Sequence, residues 1–480
     1  MTFWLGILLA FYVLLMVGLG MYAGGRVKTE EDYLVAGRRL PLWLAWGTLL
    51  ATWFGAATVL GSSEAARSEG VQGTILDPFA SGLALIVAGL FFAKRVWEMK
   101  LLTVGDLFAR QYGPKTELVS SIVQALGYLP WIAAQYLALA AILKHFFGID
   151  HFTAILISAL FVTFLTMIGG MWSVTLTDTV QICVVLIGLV ILGINFATAA
   201  GDGSVAVGIE TTWRKTPHEL RTLLPEAGLL ALLGWSTTWI NGILGNLPGQ
   251  DLMQRIFASR SGAVASRACI LAGCVYVLFG LLPVGLGLAS RQLWPDELPQ
   301  GSEGQVILAL AEHLLSPVGI CLLVVTLLAI VVSTCTSAML SPAALLSHNL
   351  LHRLHWFDER RLLTSRLSVG IVALASLPLA LVTEAILELL ESALAVGLVA
   401  LLVPFVAGVF LKPRGEFPGL LSIGCGGLFW MGHQIAAALM SSEQDSLIAS
   451  LLSIPPELTG LLASLAGYLI GQRLLASGKT

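Results

Sequence analysis

The sequence predicts an all-α polytopic membrane protein, and its composition and hydropathy pattern both lead to that class. Of its 480 residues, 57% are hydrophobic and only 11% are charged, and the mean hydropathy is +0.87. A soluble domain carries about 25% charged residues, so this chain cannot cover a water-facing surface. Apolar runs of about 20 residues, the length that crosses a bilayer, recur along the whole chain. A transmembrane β-barrel would show short alternating segments instead.

These runs predict about 13 transmembrane helices. The first run is retained as a span because it is too long for a signal peptide and no basic residue precedes it. The predicted spans lie near residues 3–24, 42–66, 75–93, 117–143, 152–170, 175–199, 227–252, 268–289, 317–349, 367–383, 389–411, 418–440 and 457–474.

The distribution of basic residues predicts how these spans are oriented. An odd number of spans puts the two termini on opposite sides, and one set of alternate connections holds 20 of the 26 Lys and Arg residues. The other set holds the remaining six. Because basic residues concentrate in cytoplasmic loops, we expect the N-terminus outside and the C-terminus in the cytoplasm. The expected location is the plasma membrane, with a bacterial inner membrane favoured.

Two of the spans are poor continuous helices. The second contains LLATWFGAATVLGSSE (49–64) and the seventh contains INGILGNLPGQD (240–251). Glycine and proline weaken a helix, and backbone groups freed at mid-membrane need a cavity, a neighbour or a ligand. The two segments lie five spans apart, so each opens a block of five spans with opposite topology. Matched interruptions of this kind point to the midplane site of a secondary transporter. The alternative is that the glycines only permit close helix packing.

The ninth span carries four hydroxyls inside the apolar segment AIVVSTCTSAMLS (329–341), at Ser333, Thr334, Thr336 and Ser337. One hydroxyl in lipid usually bonds a carbonyl of its own helix. Four on one flank suggest an oxygen cage for a dehydrated alkali cation, completed by carbonyls of the interrupted helices. A carboxylate, Asp178, lies just inside the sixth span, where a charge is costly and usually functional. Alternatively, Asp178 belongs to the first turn of its helix, where a carboxylate is stabilised.

Five segments together resemble the sodium:solute symporter family over about residues 30–415. They are DYLVAGRRLP, LLATWFGAATVLGSSE, GGMWSVTLTDTVQ, QDLMQRIFASRS and AIVVSTCTSAMLSPAALLSHNLL. The ATW, LFFAK and GGMWSVTLTD segments are most similar to the choline-transporter branch of that family. The resemblance implies a LeuT-like fold, in which a 5+5 inverted repeat is flanked by peripheral helices. It also implies sodium-driven uptake of a small organic solute by alternating access.

The resemblance also implies a division of the chain into four parts. Residues 1–40 form a peripheral helix and a cytoplasmic loop, 41–200 form the first repeat, 226–412 form the second repeat, and 413–480 form two peripheral helices.

Ion ligands follow from the resemblance, residue by residue. A sodium site would use the carbonyls of Ala51, Phe54 and Ile330 and the hydroxyls of Ser333 and Thr334. Some members of the family have a second sodium site beside the first. Its ligands here would be Asp178, Ser333, Thr336 and Ser337.

The expected solute site resembles a choline carrier only in part. Trp53 and Trp131 match two walls of an aromatic box that holds a quaternary ammonium. Gly249 stands where a tryptophan is expected, and Ser81 where an aromatic residue is expected. Asp77 is an added carboxylate, which suits an amine that donates hydrogen bonds; alternatively, Asp77 only caps a helix. Further candidate contacts are Gln135, Asn241 and Asn246, and an acidic row of Glu384, Glu388 and Glu391 is assigned no site.

We therefore expect a sodium-coupled symporter that imports a cationic or zwitterionic amine, whether choline-like, betaine or amino-acid-like. Its partners would be the solute, the coupling ion Na⁺ and the lipid bilayer, with no nucleic acid and no obligatory protein partner. Two alternatives remain open: a proton-coupled carrier in which Asp77 or Asp178 titrates, and a transporter-derived membrane sensor. A sensor usually continues into a soluble domain, and this chain ends soon after its last span. We do not expect an enzyme, because no span carries a nucleophile–base pair or a metal-ligand cluster.

Overall fold

Helices are the regular elements of the computed structural model, which describes residues 2–225, 228–299, 305–382, 393–413, 415–439 and 452–477. Within these ranges, one isolated bridge, Leu40 to Ser259, is the sole β pairing. The helices used below are α1 (Thr2–Gly24), α2 (Glu30–Val35), α3 (Leu42–Trp53), α4 (Ser62–Glu69), α5 (Gln72–Glu98), α6 (Val104–Gln111), α7 (Pro114–Phe147), α8 (His151–Ala200), α9 (Val205–Lys215), α10 (Leu229–Ile240), α11 (Gln250–Ala258), α12 (Gly262–Leu293), α13 (Val306–Leu314), α14 (Pro317–Leu345), α15 (Arg361–Val382), α16 (Leu402–Phe410), α17 (Phe417–Leu439) and α18 (Pro456–Ser477).

Eight helices of the described chain are long and apolar enough to cross a membrane, and nine if the bent pair of α3 and Ala57–Glu69 is one span. Helical segments overlap each of the predicted spans wherever the structure describes them. The many-helix membrane class is therefore confirmed. The count of 13, the two five-helix blocks and the orientation of the termini stay predictions.

One glycine separates the fifth and sixth predicted spans, which run as the single 50-residue element α8. Gly170 interrupts it with φ +50° and ψ −139°. A straight helix of this length would extend about 75 Å, more than twice the hydrocarbon thickness. A Cβ on Gly170 would lie 2.5 Å from the main-chain oxygen of Tyr33. Both the backbone conformation and the close packing therefore require glycine at this position.

Both predicted interruptions are present. α3 ends at Trp53, and the chain resumes after residues 54–56 at an angle of 58° to it. After α10 and a wide helical turn, Asn241–Gly245, the chain leaves helical geometry before Gln250 starts α11. A third interruption, not predicted, lies at Asp77 in α5, whose φ of −142° and ψ of 123° are those of extended backbone.

The centre of the molecule is α14, which packs against α8, α7 and α3. Every residue of α14 from Leu323 to Leu345 is buried, so this stretch offers no face to lipid. α1 packs on the outside of α8, and α17 and α18 pack on each other. The hydroxyl-bearing helix is therefore an interior helix, surrounded by the other spans.

Arg255 departs from the sequence prediction, which counted it among the basic residues of the loops. It lies instead inside α11 and is fully buried. A buried guanidinium in this helix lies close to the break that precedes Gln250. The acidic row Glu384, Glu388 and Glu391 lies outside the described residues.

Candidate functional site

The break after α3 lies directly against the hydroxyls of α14. Phe54 ends the helix with φ −73° and ψ 74°, which turns the following carbonyls away from the helix axis. A Cβ on Gly55 would lie 2.9 Å from Thr334 Oγ1, so only glycine permits this approach. The interruption and the hydroxyl row therefore form one feature, although they are distant in sequence.

Hydroxyls and carbonyls converge at this contact. Ser333 Oγ donates to the carbonyl oxygen of Ile330 at 2.9 Å and lies 3.2 Å from that of Ala51. Thr334 Oγ1 lies 3.3 Å from the same Ala51 oxygen. Four of the five expected sodium ligands, including Ile330, are thus brought together in a buried position, and Phe54, the fifth, lies at the break itself. Neutral oxygens of this kind suit a hard cation.

A second group of oxygens surrounds Asp178, in the interior of α8 eight residues beyond Gly170. Asp178 Oδ2 accepts hydrogen bonds from Thr48 Oγ1 at 2.6 Å and from Ser337 Oγ at 3.2 Å. Asp178 Oδ1 is buried and has no hydrogen-bond partner among the residues that the structure describes. A buried carboxylate oxygen without a donor fits a cation ligand, because leaving it unpaired is costly.

The two groups are connected through neighbouring hydroxyls. Thr52 Oγ1 donates to the main-chain oxygen of Thr48 at 2.6 Å and lies 3.1 Å from Ser337 Oγ. Thr336 Oγ1, an expected ligand of the second site, bonds the main-chain oxygen of Ser333 at 3.0 Å. Its hydroxyl thus makes the ordinary contact within its own helix, whereas Ser337 reaches Asp178.

Beside the break lies a cavity of about 90 Å³, small enough to suit a small solute. Six of the seven residues expected to contact the solute line it, namely Trp53, Asp77, Trp131, Gln135, Asn246 and Gly249. Asn241 corrects the prediction, because it is not part of the lining; its amide oxygen would lie 3.0 Å from a Cβ on Gly245. Ser81, the position of a missing aromatic residue, is also part of the wall.

Asp77 is held at the cavity wall by hydroxyl donors. Tyr276 donates to the carboxylate at 3.0 Å, and Thr58 Oγ1 lies 3.1 Å from Oδ2. The Tyr276 hydroxyl also lies 2.9 Å from the carbonyl oxygen of Trp53, and Ser62 Oγ donates to the main-chain oxygen of Asp77 at 2.7 Å. The side chain therefore does more than cap a helix, because it bonds Thr58 in the second half of the interrupted span and is linked through Tyr276 to Trp53 in the first half.

A second carboxylate in the cavity, Asp251, was not among the expected contacts. Trp53 Nε1 donates to its Oδ2 at 2.5 Å, and the Tyr128 hydroxyl donates to its Oδ1. The Tyr128 ring lies 5.8 Å from that of Trp131, so aromatic rings and acids share the same walls. The sequence signal for Asp251 was its position directly after the Pro-Gly break in NLPGQD, in a membrane-spanning segment.

Comparison with known proteins identifies the family. The profile of the Sodium:solute symporter family matches residues 33–422. The chain belongs to the sodium:solute symporter family. This symporter is 27% identical over 400 residues to the High affinity choline transporter 1 of Homo sapiens, covering 79% of this chain and 68% of that protein. It is 26% identical over 446 residues to that of Caenorhabditis elegans, covering 86% and 74%.

Among solved structures, this symporter is similar to a Na⁺-coupled sialic acid symporter in a substrate-bound, outward-open state. The TM-score is 0.76 at 20% sequence identity, with 98% of this chain and 97% of that chain covered. At this identity the likeness shows the fold alone. The expected resemblance to the choline-transporter branch is confirmed, and the fold is shared with solved LeuT-like transporters, whereas the 5+5 inverted repeat stays a prediction. This symporter is thus a multi-pass transmembrane protein of a transporter family, not of an enzyme family.

Within the described residues, no group of three or more His, Cys, Asp or Glu side chains is placed to hold a metal ion. The site found instead relies on hydroxyls and carbonyls with single carboxylates. Sequence reasoning missed Thr48, Thr52, Tyr128 and Tyr276, which position the carboxylates. These are common residue types in membrane helices, and only their contacts distinguish them.

Proposed function

We propose that this protein is a sodium-coupled symporter that imports a small organic cation by alternating access. The observation that carries the proposal is the convergence of the Ser333 and Thr334 hydroxyls on the Ala51 carbonyl, at the break in the first interrupted span. Sodium is favoured by an oxygen set that is neutral and buried. The family membership supports the same coupling ion.

The proposed sodium site consists of Ala51, Phe54, Ile330, Ser333 and Thr334. A second sodium is proposed at Asp178, Ser333, Thr336 and Ser337, supported by the unpaired Oδ1 of Asp178. Thr48 would support this second site, because its hydroxyl already bonds the other carboxylate oxygen.

The solute site is proposed at the cavity. Trp53 and Trp131 supply aromatic surface for a cation, and Asp77 supplies a negative charge with hydroxyl-fixed geometry. Among the described residues that line the cavity there is no Lys, Arg or His to pair with a carboxylate of a zwitterion. These features favour a cationic amine over betaine or an amino acid. Gly249 and Ser81 leave the aromatic box incomplete, which favours an amine that donates hydrogen bonds over a quaternary one.

Coupling follows if sodium and solute stabilise the same state. Sodium at Ala51 and Ser333 would join α3 to α14, and the same stretch of chain, at Trp53, forms a wall of the solute cavity. A ligand shifts a conformational equilibrium only by its differential affinity for the two states. Residues 41–200 and 226–412 would be the two inverted blocks that move relative to each other.

The proposed orientation places the N-terminus outside and the C-terminus in the cytoplasm, in a plasma membrane that we take to be a bacterial inner membrane. The membrane potential would then add a driving force of about 2.3 kcal/mol per charge per 100 mV for inward movement of sodium.

The test is uptake by the purified full chain reconstituted in liposomes, with radiolabelled amines as solutes. We expect accumulation with an inward sodium gradient and none when potassium replaces sodium at the same pH. Accumulation driven by a proton gradient without sodium would establish the proton-coupled carrier instead. That alternative has a basis in the structure, since Asp77 and Asp178 are buried and titratable. Absence of uptake of any amine, with sodium binding retained, would favour a sensor.

A further inference from the structure

The solute cavity contains two carboxylates at separate positions in its wall. Asp77 and Asp251 both line it, and their exposed fractions are 8% and 4%. No basic side chain occurs among the described lining residues. A buried charge is costly unless it is paired, so a cavity with two acids and no base has a strong preference for positive charge.

Neither acid is in direct contact with a basic side chain in the described part of the protein, although the buried Arg255 attracts the Asp251 carboxylate electrostatically. The nearest candidate, Arg255, donates from Nη1 to the main-chain oxygen of Asp251 at 2.8 Å, not to its carboxylate. No ion pair within 4.0 Å among the described residues involves Asp77 or Asp251. Their donors are hydroxyls and one indole N–H, which hold the carboxylates in place. Among the described residues, no base acts on Asp77, and Arg255 offsets the Asp251 charge only from a distance.

The two carboxylates are connected to one residue, Trp53, at different atoms. Its main-chain oxygen lies 2.9 Å from the Tyr276 hydroxyl that bonds Asp77, and its indole Nε1 donates to Asp251. The main-chain oxygen and the indole nitrogen are at the two ends of a tryptophan. The two acids are therefore linked to different ends of Trp53, Asp77 through the Tyr276 hydroxyl and Asp251 directly.

We propose that the solute is an organic dication of the diamine class, with one ammonium group at Asp77 and the other at Asp251. The carbon chain would lie along the Trp53 ring, with Tyr128 and Trp131 on a further wall. Each ammonium has three N–H donors, and each carboxylate has acceptor positions left beyond its present partners. A monoamine or a quaternary ammonium would leave one acid unpaired. This inference rests on the proposed function, in which the cavity is the solute site.

The competing explanation is that Asp251 only joins Trp53 to Tyr128. The two explanations differ in what a substitution changes. Asp251→Asn removes the negative charge and keeps an acceptor oxygen for one of the two donors, whereas Asp251→Glu keeps the charge. A role in joining Trp53 to Tyr128 predicts lower stability in either variant, and no change in which amine is preferred.

The experiment measures binding by thermal shift and uptake in liposomes with the purified full chain. The probes are 1,4-diaminobutane, 1,5-diaminopentane, 1-aminobutane and choline, each in sodium and in potassium buffer. We expect wild type to bind a diamine about tenfold or more tightly than 1-aminobutane, because one further charge-assisted hydrogen bond is made. Asp251→Asn should reduce that ratio to near one, and Asp251→Glu should retain a preference. The control is Glu210→Gln, an exposed acid outside the cavity.

Three outcomes would overturn the inference: no binding of either diamine, no preference over 1-aminobutane, or an unchanged preference in Asp251→Asn. Sodium dependence decides the proposed function separately. Sodium-driven uptake of 1-aminobutane or choline without a preference for diamines would refute the proposed dication solute. It would still support the proposed sodium-coupled symport. Diamine binding that is equal in sodium and potassium would support the paired carboxylates and count against sodium coupling.

Discussion

Ser333 Oγ lies 3.2 Å from the main-chain oxygen of Ala51, although 282 residues separate the two in the chain. The hydroxyl belongs to the buried middle of α14, and the carbonyl belongs to the last turn of α3 before the break. A contact at this distance joins an interrupted helix to the central one. It defines where a coupling ion would be held and which substitutions would weaken it.

Ser333→Ala should weaken sodium binding. The substitution removes one of the few oxygens available to the ion, and hydrogen bonds and contacts to charged groups are worth about 1.5–3 kcal/mol, or roughly 10- to 100-fold in affinity. The measurement is the sodium concentration that gives half-maximal uptake. Thr326→Val is the matched control, because Thr326 lies on the same helix and bonds the Leu322 carbonyl of its own helix. An equal loss in both variants would count against the site.

Asp178→Asn should alter the dependence on sodium concentration. If a second ion binds at Asp178, the substitution removes its charged ligand, so the Hill coefficient for sodium should fall to about one and uptake should fall about tenfold. The amide can still accept from Thr48, which limits structural damage. A Hill coefficient equal to one in wild type, unchanged in the variant, would contradict the second sodium.

Asp77→Asn should abolish uptake of a cationic solute while the protein remains in the membrane. The substituted side chain keeps acceptor capacity for Tyr276 and Thr58 but loses the charge that pairs with the cation. We expect a loss of about tenfold or more in uptake at a fixed solute concentration. Membrane levels on immunoblots and the Glu210→Gln variant serve as controls. Uptake at the wild-type rate would remove Asp77 from the solute site.

Gly170→Ala should destabilise the protein. The φ of +50° with ψ of −139° is a conformation that non-glycine residues adopt at a cost of about 1–3 kcal/mol, and a Cβ would contact the Tyr33 carbonyl. We expect a lower apparent melting temperature in detergent. Gly285→Ala is the control, since nothing lies within 4 Å of a Cβ at that position. If Gly285→Ala lost as much stability as Gly170→Ala, the claim that position 170 specifically requires glycine would be refuted.

Glu30 provides a pH-dependent contribution to stability at one end of α14. Burial raises the pKa of Glu30, but the hydrogen bond and the positive charge of His348 lower it, as do those of Arg361. Together they bring the pKa below the ordinary 4.5. Because the pKa of Glu30 is lower in the folded protein, its ionised form stabilises the fold at pH values above the ordinary pKa. This stabilisation is lost as the pH falls through the lowered pKa. Glu30→Gln should therefore lower the melting temperature at pH 7. The difference in melting temperature between Glu30→Gln and wild type should shrink below pH 4.5. A difference that stays constant from pH 7 to below pH 4.5 would contradict this explanation.

The hydrophobic runs and the glycine and proline interruptions were predictable from sequence, because they follow from what a bilayer and a helix permit locally. The hydroxyl row at Ser333 and Thr334 was visible for the same reason: polar atoms in a long apolar segment stand out. Asp251 was not singled out, because an acid after a Pro-Gly break has an ordinary local explanation. Asn241 was expected at the cavity, but within the helical turn Asn241–Gly245 it is Gly245 and not Asn241 that lines it.

The sequence by itself determined that this chain is a many-helix membrane protein with two weakened spans, since hydropathy and helix propensity act over short distances along the chain. Only the tertiary structure decided that Trp53 bonds Asp251 directly and is linked to Asp77 through Tyr276, and that Asp178 Oδ1 has no donor among the described residues. Such facts depend on the direction in which side chains from distant helices point. That direction is fixed by packing among α3, α8, α11 and α14, which no local pattern encodes.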